Sequence, residues 1–286
     1  MHDRSGLNNT DTRGIVRALV GSVPDLVVSS TVSIVGAKAP LVRHIGSGTL
    51  VAVADARFVL TAAHVIREAS RDGLTIGVGS SANNHFTALT GKVILSDDGF
   101  DIALCQLDDR QVSRMVGAEF VRVADALFEI NLSGGYFVVS GFPAMWSTTS
   151  DSKHSVMKAR LLQYGTYAFA GNCAALGGYD PTKHFLLEAT PAALLDQHGN
   201  ETSFNTRSGL PAQMPTDLKG VSGCSVWIIG NLNRTPTVTS IPARIVGVET
   251  GVYAKRGAIK ATRWSSVTTL IYNAFPSLRP AIELYS

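Results

Sequence analysis

The chain is patterned in short runs of hydrophobic, often β-branched residues, separated by clusters of Gly, Asn, Asp and Pro. Runs of this kind between turn residues predict β-strands. The predicted strands cover residues 32–35, 48–53, 58–61, 74–78, 92–95, 102–107, 136–140, 160–167, 184–188, 226–229 and 244–249. Many short strands without intervening helices favour a sandwich or a barrel over alternating β-α units.

Two segments depart from the strand pattern and predict helices, one over residues 12–19 and one over residues 265–275. The second carries apolar residues at i, i+3, i+4 and i+7, namely Val267, Leu270, Ile271 and Ala274. This spacing places them in one stripe on a helix surface. By contrast, residues 190–219 are rich in Pro, Gly, Asn, Gln and Ser and predict long loops.

Composition narrows the class of protein. Of the 286 residues, 45% are hydrophobic and only 16% are charged, which excludes a disordered chain. A net charge of +3 is too weak to indicate nucleic acid as the partner. The cysteines, Cys105, Cys173 and Cys224, lie far apart and predict neither a disulfide framework nor a metal-binding pair. Because no run resembles a secretory signal or a membrane span, we expect a cytoplasmic location and no membrane partner.

Three short segments carry residue types that work together in catalysis. Thr-Ala-Ala-His ends at His64, directly after a predicted strand, and an imidazole suits general-base chemistry because it titrates near neutral pH. Asp-Ile-Ala-Leu begins at Asp101, whose carboxylate could accept the Nδ1 proton of an imidazole. Gly-Val-Ser-Gly places Ser222 on a turn whose glycines allow backbone N–H groups to point at an oxyanion.

Each segment taken alone has a simpler explanation. A histidine beside a strand is most often structural, and an aspartate that opens a strand usually belongs to a turn. The conjunction of all three, in the order His, Asp, Ser and each at an element boundary, argues for a joint role. Asp97 and Asp98 fit a solvated turn better than the acid of such a group. An α/β-hydrolase is excluded because Cys224 stands where its motif needs glycine and because the order differs.

In these motifs and their order, over about residues 32–275, the sequence resembles the trypsin-like serine proteases of the chymotrypsin fold. The serine motif continues Gly-Cys-Ser where the family usually has Gly-Gly-Pro. The resemblance implies an all-β fold of two six-stranded antiparallel β-barrels, a chymotrypsin-like double barrel, with an N-terminal and a C-terminal helix. Without a signal peptide, the chain is most similar to intracellular bacterial-type members.

On this interpretation the chain divides into four segments. Residues 1–31 form an N-terminal arm or helix, and residues 32–130 form the first β-barrel with His64 and Asp101. Residues 131–263 form the second β-barrel with Ser222. The remaining residues, 264–286, are the C-terminal helix and tail.

The resemblance also implies roles for individual residues in a serine endopeptidase that works through an acyl-enzyme. Ser222 is the nucleophile, His64 the general base and acid, and Asp101 the carboxylate that orients the histidine. The backbone N–H groups of Gly220 and Ser222 form the oxyanion hole. No cofactor and no metal are expected, and His184 and His198 are interpreted as surface or structural histidines.

The specificity pocket of this fold is lined by residues before the nucleophile and on a later strand, which here are Thr216, Asp217, Glu249 and Thr250. Two carboxylates at such a pocket would favour Lys or Arg before the cleaved bond. A plainer alternative pairs Asp217 with Lys219 at the surface and turns Glu249 to solvent.

Regulation is a separate expectation. Family zymogens are activated by a new amino terminus that pairs with a carboxylate before the nucleophile, but that position is Val221 here, so Ile34-Val35-Gly36 is interpreted as an ordinary strand. The long segment of residues 147–219 predicts a surface for a regulatory protein partner. The alternative function is a catalytically silent protease-fold protein that binds or scaffolds.

Overall fold

The computed structural model describes residues 23–285, with the exception of residues 81–82, 97–98, 127, 130–131, 133, 150–156, 174–175, 197, 199, 204, 206–217 and 232–242. The helix predicted over residues 12–19 lies outside the described residues. Within them the chain is mostly β-strand, in two sheets that follow one another along the sequence.

The first sheet has eight strands and follows a short helix, α1 (Asp25–Ser29). Its strands are β1 (Thr31–Lys38), β2 (Leu41–Val53), β3 (Ala56–Ala62), β4 (Thr75–Ser80), β5 (Asn83–Ala88), β6 (Val93–Leu95), β7 (Ile102–Leu107) and β8 (Val121–Arg122). Seven pair antiparallel in the order β5-β4-β1-β2-β3-β7-β6, and β8 pairs in parallel with β2. Helix α2 (Ala63–Arg71) directly follows β3, and α3 (Asp109–Ser113) follows β7.

The second sheet has seven strands. Nine strands follow residue 130 among the described residues, and seven of them form this sheet. They are β9 (Gly135–Gly141), β10 (Ser147–Thr149), β11 (Met157–Ala159), β12 (Leu162–Tyr167), β13 (His184–Glu188), β14 (Ala193–Leu195), β15 (Ser225–Asn231), β16 (Arg244–Tyr253) and β17 (Ala258–Arg263). The sheet order is β13-β17-β16-β15-β9-β12-β14, while β10 and β11 form a separate pair. A bridge between Ala168 and Leu187 joins the end of β12 to β13, so the sheet curls back on itself.

Successive side chains point to opposite sides of a strand, and in the central strands both sides are covered by other parts of the protein. In β9, Phe137 and Val139 pack inside the second sheet, whereas Tyr136 and Val138 pack between the two sheets. In β3, Val59 packs inside the first sheet. Burial on both faces explains why these strands appear in the sequence as unbroken hydrophobic runs rather than as alternation.

Two helices end the chain, α4 (Trp264–Ala274) and α5 (Arg279–Glu283). Helix α4 completes the cluster between the sheets with the fully buried Trp264, Val267 and Ile271. The predicted C-terminal helix is therefore confirmed, but its buried stripe begins one residue before the predicted start. Leu270, assigned to that stripe, is only partly buried.

The all-β, double-barrel class implied by the resemblance is confirmed. The sheets hold eight and seven strands rather than six, because short edge strands such as β8 and β14 join them. Strand β14 lies in the segment predicted to be long loops. The segment boundaries stay predictions. Among the described residues, no helix is both long and apolar enough to cross a membrane.

Candidate active site

His64 stands at the junction between β3 and α2. The strand ends at Ala62 and the helix begins at Ala63, and both alanines are fully buried. These small residues bring the backbone into the core while the His64 ring, in the first helical turn, stays partly exposed. Sequence reasoning placed the histidine at a strand end but missed the helix, in which only four buried residues mark the inner face.

Asp101 holds His64 at two points. One carboxylate oxygen, Oδ1, accepts from the His64 backbone N–H at 2.8 Å, and Oδ2 lies 2.6 Å from His64 Nδ1. A carboxylate accepts only from a protonated nitrogen, so Nδ1 carries a proton, and in the neutral ring the lone pair is then on Nε2. The hydrogen bond to Asp101 raises the pKa of His64 above its usual value, and the nearby negative charges act in the same direction.

The backbone of Asp101 is fixed in an uncommon conformation. Its φ is +55°, a left-handed value that aspartate tolerates better than most residues. Its carbonyl accepts from the Ala63 N–H at 3.0 Å, and the next residue, Ile102, pairs with Ala62 in the sheet. The pairing of β3 with β7 thus sets the distance between the carboxylate and the imidazole.

The second sheet holds the loop before Asp101. His184, which is buried, lies with Nε2 2.7 Å from the Gly99 carbonyl oxygen, and the Thr262 hydroxyl donates to the Phe100 carbonyl at 2.6 Å. His184 is therefore a structural histidine of the second sheet that contacts the loop before Asp101 in the first sheet. Residues 97 and 98, which include the alternative acids Asp97 and Asp98, lie outside the described residues.

Ser222 lies on a tight turn between two residues with left-handed φ, Gly220 at +93° and Gly223 at +92°. The turn is fastened on both sides. The Ser222 carbonyl accepts from the Ser47 N–H of β2 at 2.9 Å, and the Gly223 N–H donates to the Glu249 carbonyl of β16 at 2.8 Å. Ser222 is thereby held where the first sheet meets the second.

The turn leaves two backbone donors free. The Lys219 carbonyl accepts from Ala144 N–H at 2.7 Å, and the Val221 carbonyl accepts from Cys224 N–H at 3.1 Å. In a planar trans peptide the N–H points away from the carbonyl, so the N–H groups of Gly220 and Ser222 point away from these contacts. Neither donates a hydrogen bond within the described part of the chain. Two free N–H groups beside a serine suit an oxyanion.

A buried network that sequence reasoning missed supports the Gly220 peptide. The Gly220 carbonyl accepts from Ser47 Oγ at 2.8 Å and lies 3.1 Å from Nε2 of His44. His44 Nδ1 lies 2.8 Å from Ser33 Oγ. Burial lowers the pKa of His44 to about 4, so the ring is neutral at neutral pH, with its proton on Nε2. In the sequence, His44 lies outside the predicted strands, between residues 32–35 and 48–53, so no local pattern marked it.

Ser47 is the member of this network with the most partners, and we expect Ser47→Ala to lower the free energy of unfolding by about 1–3 kcal/mol. Its hydroxyl also accepts from the buried Phe142 N–H at 2.8 Å, which the variant would leave without a partner. Denaturant unfolding measures the loss.

Thr49, on the same strand, is the matched control. Its buried hydroxyl has no hydrogen-bond partner in the described residues, so Thr49→Val should be neutral or stabilising. Equal losses in the two variants would show that the Ser47 contacts contribute nothing specific.

Two of the four candidate pocket residues can be located. Thr250 is buried, and its hydroxyl lies 3.2 Å from that of Thr262. Glu249 is 2% exposed, and neither carboxylate oxygen has a hydrogen bond of ordinary geometry with a described residue. Thr216 and Asp217 lie outside the described residues.

The charge of Glu249 is coupled to those of His64 and Asp101. Burial raises its pKa to about 7, while His64, the nearby Ser222 hydroxyl and the Gly251 N–H act in the opposite direction. Glu249 in turn raises the pKa of His64. This carboxylate is therefore buried within range of the charges of His64 and Asp101 and does not turn to solvent.

The remaining sequence expectations concern the cysteines and the activation segment. All three cysteines are free, and Cys105 and Cys224 are buried. Ile34 and Val35 are buried inside β1, between β2 and β4, as an ordinary strand requires. In the described part of the chain, no three His, Cys, Asp or Glu side chains are grouped to hold a metal ion.

Comparison with known proteins gave matches among solved structures only; no family model and no curated protein matches the chain. The serine protease domain of the Sesbania mosaic virus polyprotein is 14% identical, with 84% of this chain and 91% of that chain covered and a TM-score of 0.45. The MamO protease domain of Magnetospirillum magneticum is 12% identical, with 85% and 96% covered and a TM-score of 0.41. A serine endoprotease from Yersinia pestis is 12% identical, with 93% and 66% covered and a TM-score of 0.45. These identities are too low to carry a residue's role from one chain to another.

Proposed function

We propose that the chain is a serine endopeptidase that cleaves peptide bonds through an acyl-enzyme. One observation carries the proposal: the imidazole of His64 is bound through Nδ1 to Asp101, near a serine whose turn has two N–H groups that donate to no described residue. A base, an oriented acid and an oxyanion site are the parts that acyl transfer to serine requires.

The proposed reaction has two halves. Ser222 Oγ attacks the substrate carbonyl carbon while its proton passes to His64 Nε2, and the N–H groups of Gly220 and Ser222 stabilise the oxyanion. When the C–N bond breaks, the leaving amine takes that proton. Water then attacks the acyl-enzyme with His64 again as the base, which releases the acid and restores Ser222. Asp101 stays ionised throughout and stabilises the imidazolium.

For the residue before the cleaved bond, the proposal includes a preference for Lys or Arg. Glu249 supports it, because a buried carboxylate that has no hydrogen bond of ordinary geometry with a described residue is stabilised by a bound cation. Asp217, with Thr216 beside it, is the other proposed determinant. Protein or peptide chains would be the substrates, in the cytoplasm, with a regulatory protein bound to the segment of residues 147–219.

A second candidate function is a catalytically silent binding protein, and the relation between Ser222 and His64 favours it. Within the described residues, no hydrogen bond joins the Ser222 hydroxyl to His64, although both side chains lie near Glu249. Such hydrogen bonds are often long in the absence of substrate. The same geometry would also fit a catalytically silent protein that uses the fold to bind a partner.

A fluorophosphonate probe separates the two candidates. We expect the wild-type protein to be labelled and Ser222→Ala to be unlabelled, because the probe reacts only with an activated serine. Ser113→Ala removes an exposed serine hydroxyl that is distant in sequence and should be labelled as the wild type is, whereas heat-unfolded protein should not react. Labelling that requires a cell extract would support activation by a partner. If no condition labels the wild type, the protein is catalytically silent, and if Ser222→Ala is labelled, the nucleophile is another residue.

A further inference from the structure

Glu249 is fixed by the backbone at the same point as the proposed nucleophile. Its carbonyl accepts from the Gly223 N–H at 2.8 Å, and its own N–H donates to the Cys224 carbonyl at 2.9 Å. These bonds flank the residue that follows Ser222. The backbone of Glu249 is thus held next to the Ser222 turn by main-chain contacts, and its side chain is near enough to the Ser222 hydroxyl for that group to lower the pKa of Glu249.

The carboxylate is buried among groups that it cannot pair with as an ordinary salt bridge. The charged groups that act on it are His64 and Asp101, and the buried Cys224 thiol has its pKa raised by burial and by Glu249. A carboxylate that is 2% exposed and has no hydrogen bond of ordinary geometry with a described residue is destabilised by lost hydration, so its ionised form needs a partner of opposite charge. The group of opposite sign that can form here is the imidazolium of His64.

Two further charged side chains, Arg67 and Glu68, act on the His64–Asp101 pair, and both are exposed to solvent. Arg67 lies 3.8 Å from Asp101 Oδ1, and about half of its side chain is exposed. Glu68 also raises the pKa of His64, but it is exposed on α2, so solvent screens its charge. Of the three described carboxylates that raise the pKa of His64, Asp101, Glu249 and Glu68, Glu249 is the buried one.

We propose that Glu249 is a positioning residue of the catalytic centre, a second carboxylate that stabilises the protonated imidazole of His64 beside Asp101. The inference rests on the proposed function, in which His64 must become protonated. Glu249 therefore acts on the base and only secondarily on the side chain before the cleaved bond. Glu249 and His64 then titrate as a coupled pair rather than as independent residues.

The test compares Glu249→Gln, which keeps the shape and removes the charge, with Glu249→Asp, which keeps the charge. Glu68→Gln is the matched control, since it removes an exposed carboxylate that also acts on His64. Two readouts are followed against pH: kcat/KM on a small uncharged ester, and the ring protons of His64 by NMR. The ester has no basic side chain, so it reports on His64 without the specificity pocket.

We expect Glu249→Gln to move the His64 titration and the acid limb of kcat/KM to lower pH, because an ionised Glu249 raises the pKa of His64. The change should be largest near neutral pH, where kcat/KM relative to its value at about pH 9 should rise by up to about tenfold, the effect of removing one neighbouring opposite charge. Near pH 5, where Glu249 is itself protonated, the profiles of the variant and the wild type should converge. Glu249→Asp should keep most of the wild-type profile, and Glu68→Gln should change it by less than about twofold.

The proposal is overturned if Glu249→Gln leaves the His64 titration where the wild type has it or moves it no further than Glu68→Gln does. It is also overturned if Glu249→Gln selectively loses cleavage of Lys and Arg peptides relative to Leu and Phe peptides while His64 titrates unchanged. That result would make Glu249 a specificity residue. Failure of the proposed function is a different outcome: no probe labelling and no ester hydrolysis by the wild type, with the His64 titration still reporting the coupling.

Discussion

Replacement of Asp101 by asparagine is expected to lower kcat by about 10⁴-fold while the protein stays folded. Asparagine has the shape of aspartate and tolerates the left-handed φ of +55° at this position. Its oxygen can still accept from the His64 backbone N–H. Its amide group, placed where Oδ2 lies, would donate to Nδ1 and leave the imidazole proton on Nε2, which could then no longer accept the Ser222 proton.

The measurement is kcat on a peptide or ester substrate, with thermal unfolding to show that the variant is folded. Asp101→Ala serves as the comparison, because it should lose a similar amount of activity and also some stability, as alanine disfavours the left-handed φ. A loss of less than about tenfold in Asp101→Asn would mean that Asp101 does not set the tautomer of the base.

Gly223→Ala is expected to destabilise the protein by about 3–5 kcal/mol, from strain at positive φ and from forced overlap. At φ +92°, a Cβ on Gly223 would lie 2.6 Å from the Ala62 backbone nitrogen and closer still to Thr61 Oγ1 and the Ser47 carbonyl oxygen. Backbone atoms of paired strands cannot move aside singly, so the turn would have to leave β2 and β3. Whatever fraction remains folded should have lost probe labelling at Ser222.

Gly178→Ala is the matched control for this prediction. Gly178 also has a positive φ, +74°, but nothing lies within 4 Å of an added Cβ. It should lose only the conformational contribution, about 1–2 kcal/mol. Denaturant unfolding of both variants separates close approach from backbone strain, and equal losses would show that the contact with β3 is unimportant.

The sequence was most informative about the part of the candidate site that lies at the ends of two neighbouring strands. His64 and Asp101 were proposed together because their motifs occur in the order, and at the element boundaries, that the family resemblance implies. The structure brings the two side chains together because β3 and β7 pair. The predicted strands are present because strands buried on both faces appear in the sequence as short hydrophobic runs, which are a strong local signal. Helix α2 was missed because its apolar stripe spans little more than two turns.

The remaining parts of the site depend on contacts between residues far apart in sequence. His44 and Gly220 are 176 residues apart, and His184 and Gly99 are 85 apart. No local pattern specifies which carbonyl a buried histidine will reach, because that depends on how the two sheets pack. Glu249 illustrates the same limit: its position in the strand was clear, but its burial beside His64 follows from the register between β15 and β16.

The buried carboxylate of Glu249 also affects how folding takes up protons. Its pKa is raised from 4.5 to about 7 in the folded protein, so between these values the native chain holds a proton that the unfolded chain has released. By linkage, this residue weakens the fold progressively as the pH rises from about 4.5 to about 7, and the loss is complete above that range. The charged form that would assist His64 is therefore the form that the folded protein tolerates least.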